Sequence, residues 1–203
     1  MNCVMKNSEH PVEPRAAVSL YGASVEYALH AVLWLVEPRD KPVSARDLAA
    51  LQGISPTLLA KIMPRLEKAG LIASSEGISG GYRLARPAGE ITVRDVVDAV
   101  EGGRRLFDCK EIRGNCALFN GSPPSWSASG TCGIHAVMLR AEKAMRAEMA
   151  QTTLLSLARG IRYPAGFSDQ VGAWFDDRAA ARQDARVSAV RAGATRRKRT
   201  TQA

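Results

Sequence analysis

A chain of 203 residues is long enough for one domain of ordinary size with extensions, or for two small ones. Its 46% hydrophobic content supports a packed core, and its net charge of +8 favours an acidic partner such as nucleic acid. Four cysteines are too few for a disulfide scaffold, the first twenty residues lack the apolar run of a secretory signal, and the longest apolar stretch, Ala28 to Val36, is too short to span a bilayer. The expectation is a cytoplasmic protein with no membrane contact.

Residues 1–19, with Pro11 and Pro14 among Glu9 and Glu13, read as a flexible tail in which Cys3 is an uninvolved thiol. Ala23 to Val36 then reads as a helix that is apolar nearly all round and must be covered on several sides, with Pro38 ending it. Ser44-Ala45-Arg46-Asp47 has the pattern of a capping box that opens a short helix, and Gly53 makes the next turn.

Ser55-Pro56 supplies an N-cap followed by proline at the first helical position. The helix that begins there has Leu59, Ile62, Met63 and Leu66 as its buried stripe, Lys61, Arg65 and Lys68 outside it, and Gly70 as its C-terminal cap. Two short helices joined by a glycine turn predict a helix-turn-helix whose second member reads the major groove. Pro64 falls inside that second helix and predicts a kink. Strand-like Leu71 to Ser74 and Tyr82 to Ala85 flank a glycine-rich turn, which predicts a β-hairpin wing with Arg83 and the amides around Gly80 placed for phosphate or minor-groove contact.

Thr92 to Asp95 is a second capping box, opening a helix that stops at Gly102-Gly103, where the winged domain is expected to close. Arg104 to Thr131 has little periodicity and reads as a long functional loop. Cys132 to about Ala158 reads as one helix with Ile134, Met138, Ala141, Met145, Met149 and Leu155 near heptad spacing, too long for so small a domain to cover alone, so pairing with a second copy is expected. Residues 161–203 read as a largely disordered extension, with local packing through Phe167, Trp174 and Phe175. The terminal Arg196-Arg197-Lys198-Arg199 run reads as a solvated tail.

Chemistry concentrates beside the wing domain. Cys109, Cys116, Cys132 and His135 form a set of soft donors, and thiolates select zinc, Cu(I) and iron–sulfur clusters. No Walker-type loop, His-Glu-x-x-His pattern or Gly-x-Ser-x-Gly turn is present, so an enzyme is not expected.

Val25-Glu26-Tyr27-Ala28-Leu29, Gly53-Ile54-Ser55, Arg65-Leu66-Glu67-Lys68-Ala69-Gly70-Leu71, Gly80-Gly81-Tyr82-Arg83-Leu84-Ala85-Arg86-Pro87, Glu90-Ile91-Thr92-Val93 and Asp98-Ala99-Val100-Glu101-Gly102 together resemble the Rrf-type family of winged-helix transcription regulators, which includes IscR, NsrR and RsrR. The resemblance covers about residues 20 to 160. It implies a mainly α fold with a small β-hairpin wing: a winged helix-turn-helix domain at 20–103, a cluster-binding loop at 104–131 and a long dimerisation helix at 132–160. It further implies a homodimer on pseudo-palindromic double-stranded DNA, acting as a repressor that senses redox state, nitric oxide or iron supply.

The implied DNA contacts are Ser55, Thr57, Lys61, Arg65, Gly80, Gly81, Tyr82 and Arg83. The implied cofactor is an iron–sulfur cluster, [2Fe–2S] in preference to [4Fe–4S], with structural zinc as the alternative. The cysteine gaps are wider than the usual cluster signature. The closest likeness is the RsrR-type branch, where a Glu and a His four residues apart on the first helix complete a cluster held by two cysteines of the partner. Glu26 and His30 have that spacing, which places both on one helical face. The implied set is therefore Cys116 and Cys132 from one chain with Glu26 and His30 from the other. Cys109 follows the helix that delivers the family's first cysteine, and Cys132 with His135 resembles the IscR arrangement. Where the family carries an acidic residue in the recognition helix, this chain has Ala60.

Overall fold

Helix α1 (Ala23–Leu33) carries Val25, Ala28, Ala31 and Val32 into the interior, and in a computed structural model of the chain it lies at the centre of the packing, against α2 (Ala45–Gln52), α3 (Pro56–Lys68) and α4 (Val93–Glu101). The structure describes residues 19–200 except 76, 78 and 79, with side chains described through residue 190. The expected N-terminal tail lies outside the described residues apart from Ser19.

Local sequence sets the ends of these helices. Gly53 adopts φ 65°, the left-handed conformation that stops α2, and Gly102 does the same for α4 at φ 72°. Thr92 and Asp95 make the reciprocal cap expected of α4. Helix α3 runs without interruption through Pro64, so no break divides it. Pro64 and Ala60, the residue whose carbonyl loses its partner N–H, are both exposed.

Strands β1 (Ile72–Ser75) and β2 (Gly81–Leu84) pair antiparallel, with Ile72 opposite Leu84 and Ala73 opposite Arg83. Val43 adds a short third edge: its N–H donates to the Tyr82 carbonyl at 3.1 Å and its carbonyl accepts from the Tyr82 N–H at 2.8 Å. A Cβ at Gly81 would lie 2.6 Å from the Val43 carbonyl oxygen, so only glycine fits that crossing. The mainly α fold with a β-hairpin wing is as expected.

Three boundaries differ from those read in the sequence. The single helix expected over 132–158 is two, α5 (Gly133–Gln151) and α6 (Leu154–Gly160). Thr152 and Thr153 between them are extended and pair with Ile91 to Val93: the Val93 N–H donates to the Thr152 carbonyl and the Leu154 N–H to the Ile91 carbonyl, both at 2.9 Å. Thr153 then opens α6 with its own cap on Ser156, the competition with helix typical of β-branched hydroxyl residues.

The core also does not close at Gly103. Leu154 is fully buried in it, and Val171 and Phe175 are 4% exposed within the same cluster. The third difference follows. Residues 161–203, read as largely disordered, contain helix α7 (Phe167–Thr200). Phe167, Val171, Trp174 and Phe175 share one helical face and dock it, and the alanine- and arginine-rich stretch beyond has high helix propensity. Trp34 stacks on Tyr163 at 5.7 Å and contacts Phe167 at 6.5 Å, closing the joint.

Candidate functional site

Pro56 at the first turn of α3 leaves Ser55, Thr57, Ala60 and Lys61 exposed on the side opposite the buried stripe Leu59, Ile62, Met63 and Leu66. Ser55 is the cap residue by position but makes no side-chain cap bond, so its hydroxyl is free to face a ligand. Thr57 and Lys61, one helical turn apart, are the outward-facing polar pair at the start of this helix.

Arg65 is placed differently from the DNA-facing role expected of it. Its Nη1 donates to the Val100 carbonyl at 2.9 Å, closing the C-terminal end of α4 where the helix dipole favours a cation. In the wing, Arg83 is exposed and its Nη2 donates to the Asp40 carbonyl. The Gly80 N–H donates to the Gly77 carbonyl at 3.1 Å, and Gly81 serves the close crossing of Val43, so these glycines shape the wing rather than presenting free amides. Tyr82 is half-buried, and burial followed by the nearby Glu67 charge raises its hydroxyl above the ordinary phenol range.

The 104–131 segment is a loop with two 3-10 turns, Ile112–Asn115 and Ala117–Phe119. Arg113 organises it. Its Nε and Nη2 grip the two oxygens of Glu111 at 2.5 and 2.9 Å, while its other contacts reach the carbonyls of Ser129 at 3.3 Å and Gly130 at 2.8 Å. The loop's two limbs are thereby tied together just before Cys132. Cys109 and Cys132 are both half-buried, and the Glu111 hydrogen bond raises the pKa of the Arg113 guanidinium above its ordinary value. The same hydrogen bond, reinforced by the Arg113 charge, holds the Glu111 carboxyl below its ordinary value. The His135 ring sits 6.0 Å from Phe107.

Cys116 is exposed at the start of the second 3-10 turn. Glu26 and His30 are exposed on α1 and line an open depression with Ser19, Tyr21 and Leu29. Among the described residues no three His, Cys, Asp or Glu side chains gather as a metal site, so one protomer does not bring the six candidate ligands Cys109, Cys116, Cys132, Glu26, His30 and His135 together. The donors nevertheless fit a shared centre: thiols on one surface element, a carboxylate and an imidazole on an open face of another.

Direct contacts link this loop to α3. The Leu106 N–H donates to the Glu142 carboxylate of α5 at 3.3 Å, Arg146 of α5 pairs with Asp98 of α4 at 2.7 Å, and Val100 of α4 holds Arg65. Tyr21 donates to Met145 Sδ at 3.7 Å from the start of α1, and burial raises its hydroxyl pKa.

Sequence reasoning missed Asp47. Its position predicts the return arm of a cap on α2, and Ser44 Oγ does accept from the Asp47 N–H at 3.1 Å. The carboxylate itself turns to α7: its Oδ1 accepts from Arg178 Nε at 2.9 Å and its Oδ2 from Arg182. Asp47 is 1% exposed. Burial pushes its pKa up, but the hydrogen bonds from Arg178, Ser44 and Arg182 outweigh that and hold it below the ordinary value. No local pattern signals partners 131 and 135 residues away.

Comparison with known proteins agrees with this architecture. A family model described as Rrf2, iron-dependent transcriptional regulator, matches residues 21–160. The chain is 36% identical over 120 residues to the protein rrf2 of Nitratidesulfovibrio vulgaris, a match that covers 59% of this chain and 73% of that one. It is 42% identical over 79 residues to the HTH-type transcriptional regulator IscR of Photobacterium profundum, covering 39% of this chain and 42% of the relative. Among solved structures, CymR, the global cysteine regulator of B. subtilis, has a TM-score of 0.56 at 21% identity, covering 71% of this chain and all of that one, a likeness of fold.

Proposed function

The chain belongs to the Rrf2 family of DNA-binding transcription regulators, and from that premise we propose that it is a homodimeric repressor whose affinity for a pseudo-palindromic operator responds to an iron–sulfur cluster that reports redox stress, nitric oxide or iron supply. The observation that carries the sensing part is Arg113, which ties the two limbs of the loop together immediately before Cys132, at the head of α5. The cluster, when bound, supplies reversible one-electron chemistry and lability to oxidants.

Cys116 and Cys132 of one protomer would hold it together with Glu26 and His30 of the partner subunit, with [2Fe–2S] the nuclearity that suits so mixed a donor set. Cys109 and His135 are the remaining candidate donors. Arg113 holds the two limbs of the loop together beside Cys132. A shift of the loop is passed through Glu142, through Arg146 and Asp98, and through Val100 and Arg65 to α3. A coupling of about 1–3 kcal/mol along such a path changes operator occupancy on the order of five- to 150-fold.

Pairing of protomers is supported by α5, which packs one side on α4 and leaves Ile134 70% and Val137 53% exposed on another. Ala141 continues that exposed face, and Met138 is half-buried beside it. The DNA-reading surface is Thr57 and Lys61 on α3 with Arg83 on the wing. No described helix is long and apolar enough to cross a membrane.

Anaerobic purification with visible spectroscopy and iron, sulfide and zinc analysis tests the reading. The expected result is a coloured protein with matching iron and sulfide, bleached by Cys116→Ala or Cys132→Ala and altered by Glu26→Ala or His30→Ala. A colourless protein with stoichiometric zinc would replace the cluster by a tetrahedral Cys/His site, which needs Cys109, Cys116, Cys132 and His135 to converge within one chain. A spectrum untouched by Glu26→Ala and His30→Ala would move the ligand set into a single protomer.

A further inference from the structure

The body that carries the helix-turn-helix holds little of the chain's positive charge. Of the net +8, +6 lies on residues 185–203, where Arg186, Arg191, Arg196, Arg197, Lys198 and Arg199 have no acidic residue among them, so only +2 remains for residues 1–184. Phosphate neutralisation is the sequence-independent part of DNA affinity and depends on the number of cations that reach the backbone. One of the expected cations is already committed within the fold, Arg65 to the Val100 carbonyl.

The root of the charged segment is fixed. Arg178 and Arg182 reach the buried Asp47 in the first turn of α2, and the cap residue of that helix, Ser44, lines a surface depression with Gly80, Gly81 and Tyr82 of the wing. A buried carboxylate is costly to leave unpaired, so this clamp holds α7 at the junction of the helix-turn-helix and the wing. Arg178 also lies over the Trp174 ring at 4.7 Å. Beyond Arg182 the helix runs to Thr200, about 27 Å at a rise of about 1.5 Å per residue. Along that length Arg186 is exposed, as are the large apolar residues Val187 and Val190, and no residue of 183–190 is buried.

We propose that the C-terminal half of α7 is a second DNA-contacting element, a basic helical arm rooted on Asp47 that binds the sugar-phosphate backbone beside the site read by α3. Its cations position and strengthen binding without reading bases. Duplex DNA fits it better than a lipid surface, because two valines give no apolar face for insertion between headgroups.

The inference rests on DNA binding by α3 and the wing, and the experiment separates the two. The full chain, a variant with Arg186, Arg191, Arg196, Arg197, Lys198 and Arg199 all changed to Gln, and Lys61→Ala are titrated against a labelled random-sequence duplex of about 40 bp across roughly 50 to 300 mM KCl, and against vesicles rich in phosphatidylserine. All six glutamine positions lie beyond the clamp, so an unchanged thermal midpoint verifies the fold. The expected result is a glutamine variant that binds the duplex at least about tenfold more weakly at low salt, with a log affinity against log salt slope shallower by about two or more, while Lys61→Ala changes the slope by about one. An unchanged slope in the glutamine variant overturns the arm while leaving DNA binding by the body intact. No duplex binding by the unaltered chain at the lowest salt overturns both. Loss of vesicle binding without loss of duplex binding overturns the arm in favour of a lipid partner.

Discussion

Arg65 of the recognition helix donates to the Val100 carbonyl at 2.9 Å, so a residue whose sequence position suggests DNA instead joins α3 to the end of α4. Arg65→Ala should cost about 1 kcal/mol of stability, the worth of one partly exposed charge-assisted hydrogen bond. It should leave the salt slope of DNA binding within about 0.5 of the parent, since no phosphate contact is removed. Urea unfolding and affinity at several salt concentrations check both halves. A slope lower by one unit, with stability intact, would return Arg65 to the DNA.

Acid should release α7. Asp47 has its pKa lowered in the folded state, so its contribution to stability is fully present above the ordinary value of 3.8 and is lost as pH falls through the depressed folded value. Trp174 fluorescence should therefore report undocking below about pH 4, and Arg178→Gln with Arg182→Gln should destabilise the protein at neutral pH by about 1–3 kcal/mol because the buried carboxylate loses its partners. Asp47→Asn should flatten the acid dependence. An acid transition identical in the unaltered protein and in Asp47→Asn would assign it to other carboxylates.

Gly81→Ala should be disproportionately harmful for a single methyl group. The new Cβ would meet backbone, the Val43 carbonyl oxygen at 2.6 Å, and backbone cannot swing away as a side chain can. We expect a loss of about 2 kcal/mol or more, together with weaker DNA binding as the wing separates from residue 43. A thermal midpoint within a degree of the parent would show that the strand shifts freely.

Ile134→Asp with Val137→Asp should give monomers, read by sedimentation or light scattering at micromolar concentration, with poor operator affinity. Met145→Asp should act differently despite its place in the heptad pattern. Its sulfur accepts the Tyr21 hydroxyl and it is half-buried within its own protomer, so the expected effect is a lower stability without dissociation. Monomers from Met145→Asp at full stability would put the seam on the other face of α5.

Residues that act through near neighbours were legible in the sequence. Thr92 and Asp95, Pro56, Gly53 and the glycine-rich turn before β2 each signal a local geometry, and together they specify the winged helix. Asp47 was legible only as half of a cap, since the arginines that claim its carboxylate are set by tertiary packing. Met145 and Met149 followed the heptad spacing of a seam but face inward, because periodicity gives a face and does not say what covers it. For the ligand set, the types and spacings of Cys109, Cys116, Cys132, Glu26, His30 and His135 state a chemistry, while their convergence depends on a second chain that no single sequence places.

The burial of Leu154, Val171 and Phe175 in the same core as Val25 and Leu48 has a consequence for synthesis. Translation delivers α1 to the wing early, yet the surface around Trp34 and Asp47 stays uncovered until residues 163–182 emerge. A nascent chain halted near residue 160 would present an unpaired carboxylate and open aromatic surface, the features by which quality-control proteases and chaperones sort incomplete products. That signal is concealed once Arg178 and Arg182 have emerged and closed on Asp47, so the charged stretch after them becomes available only when this surface is sealed.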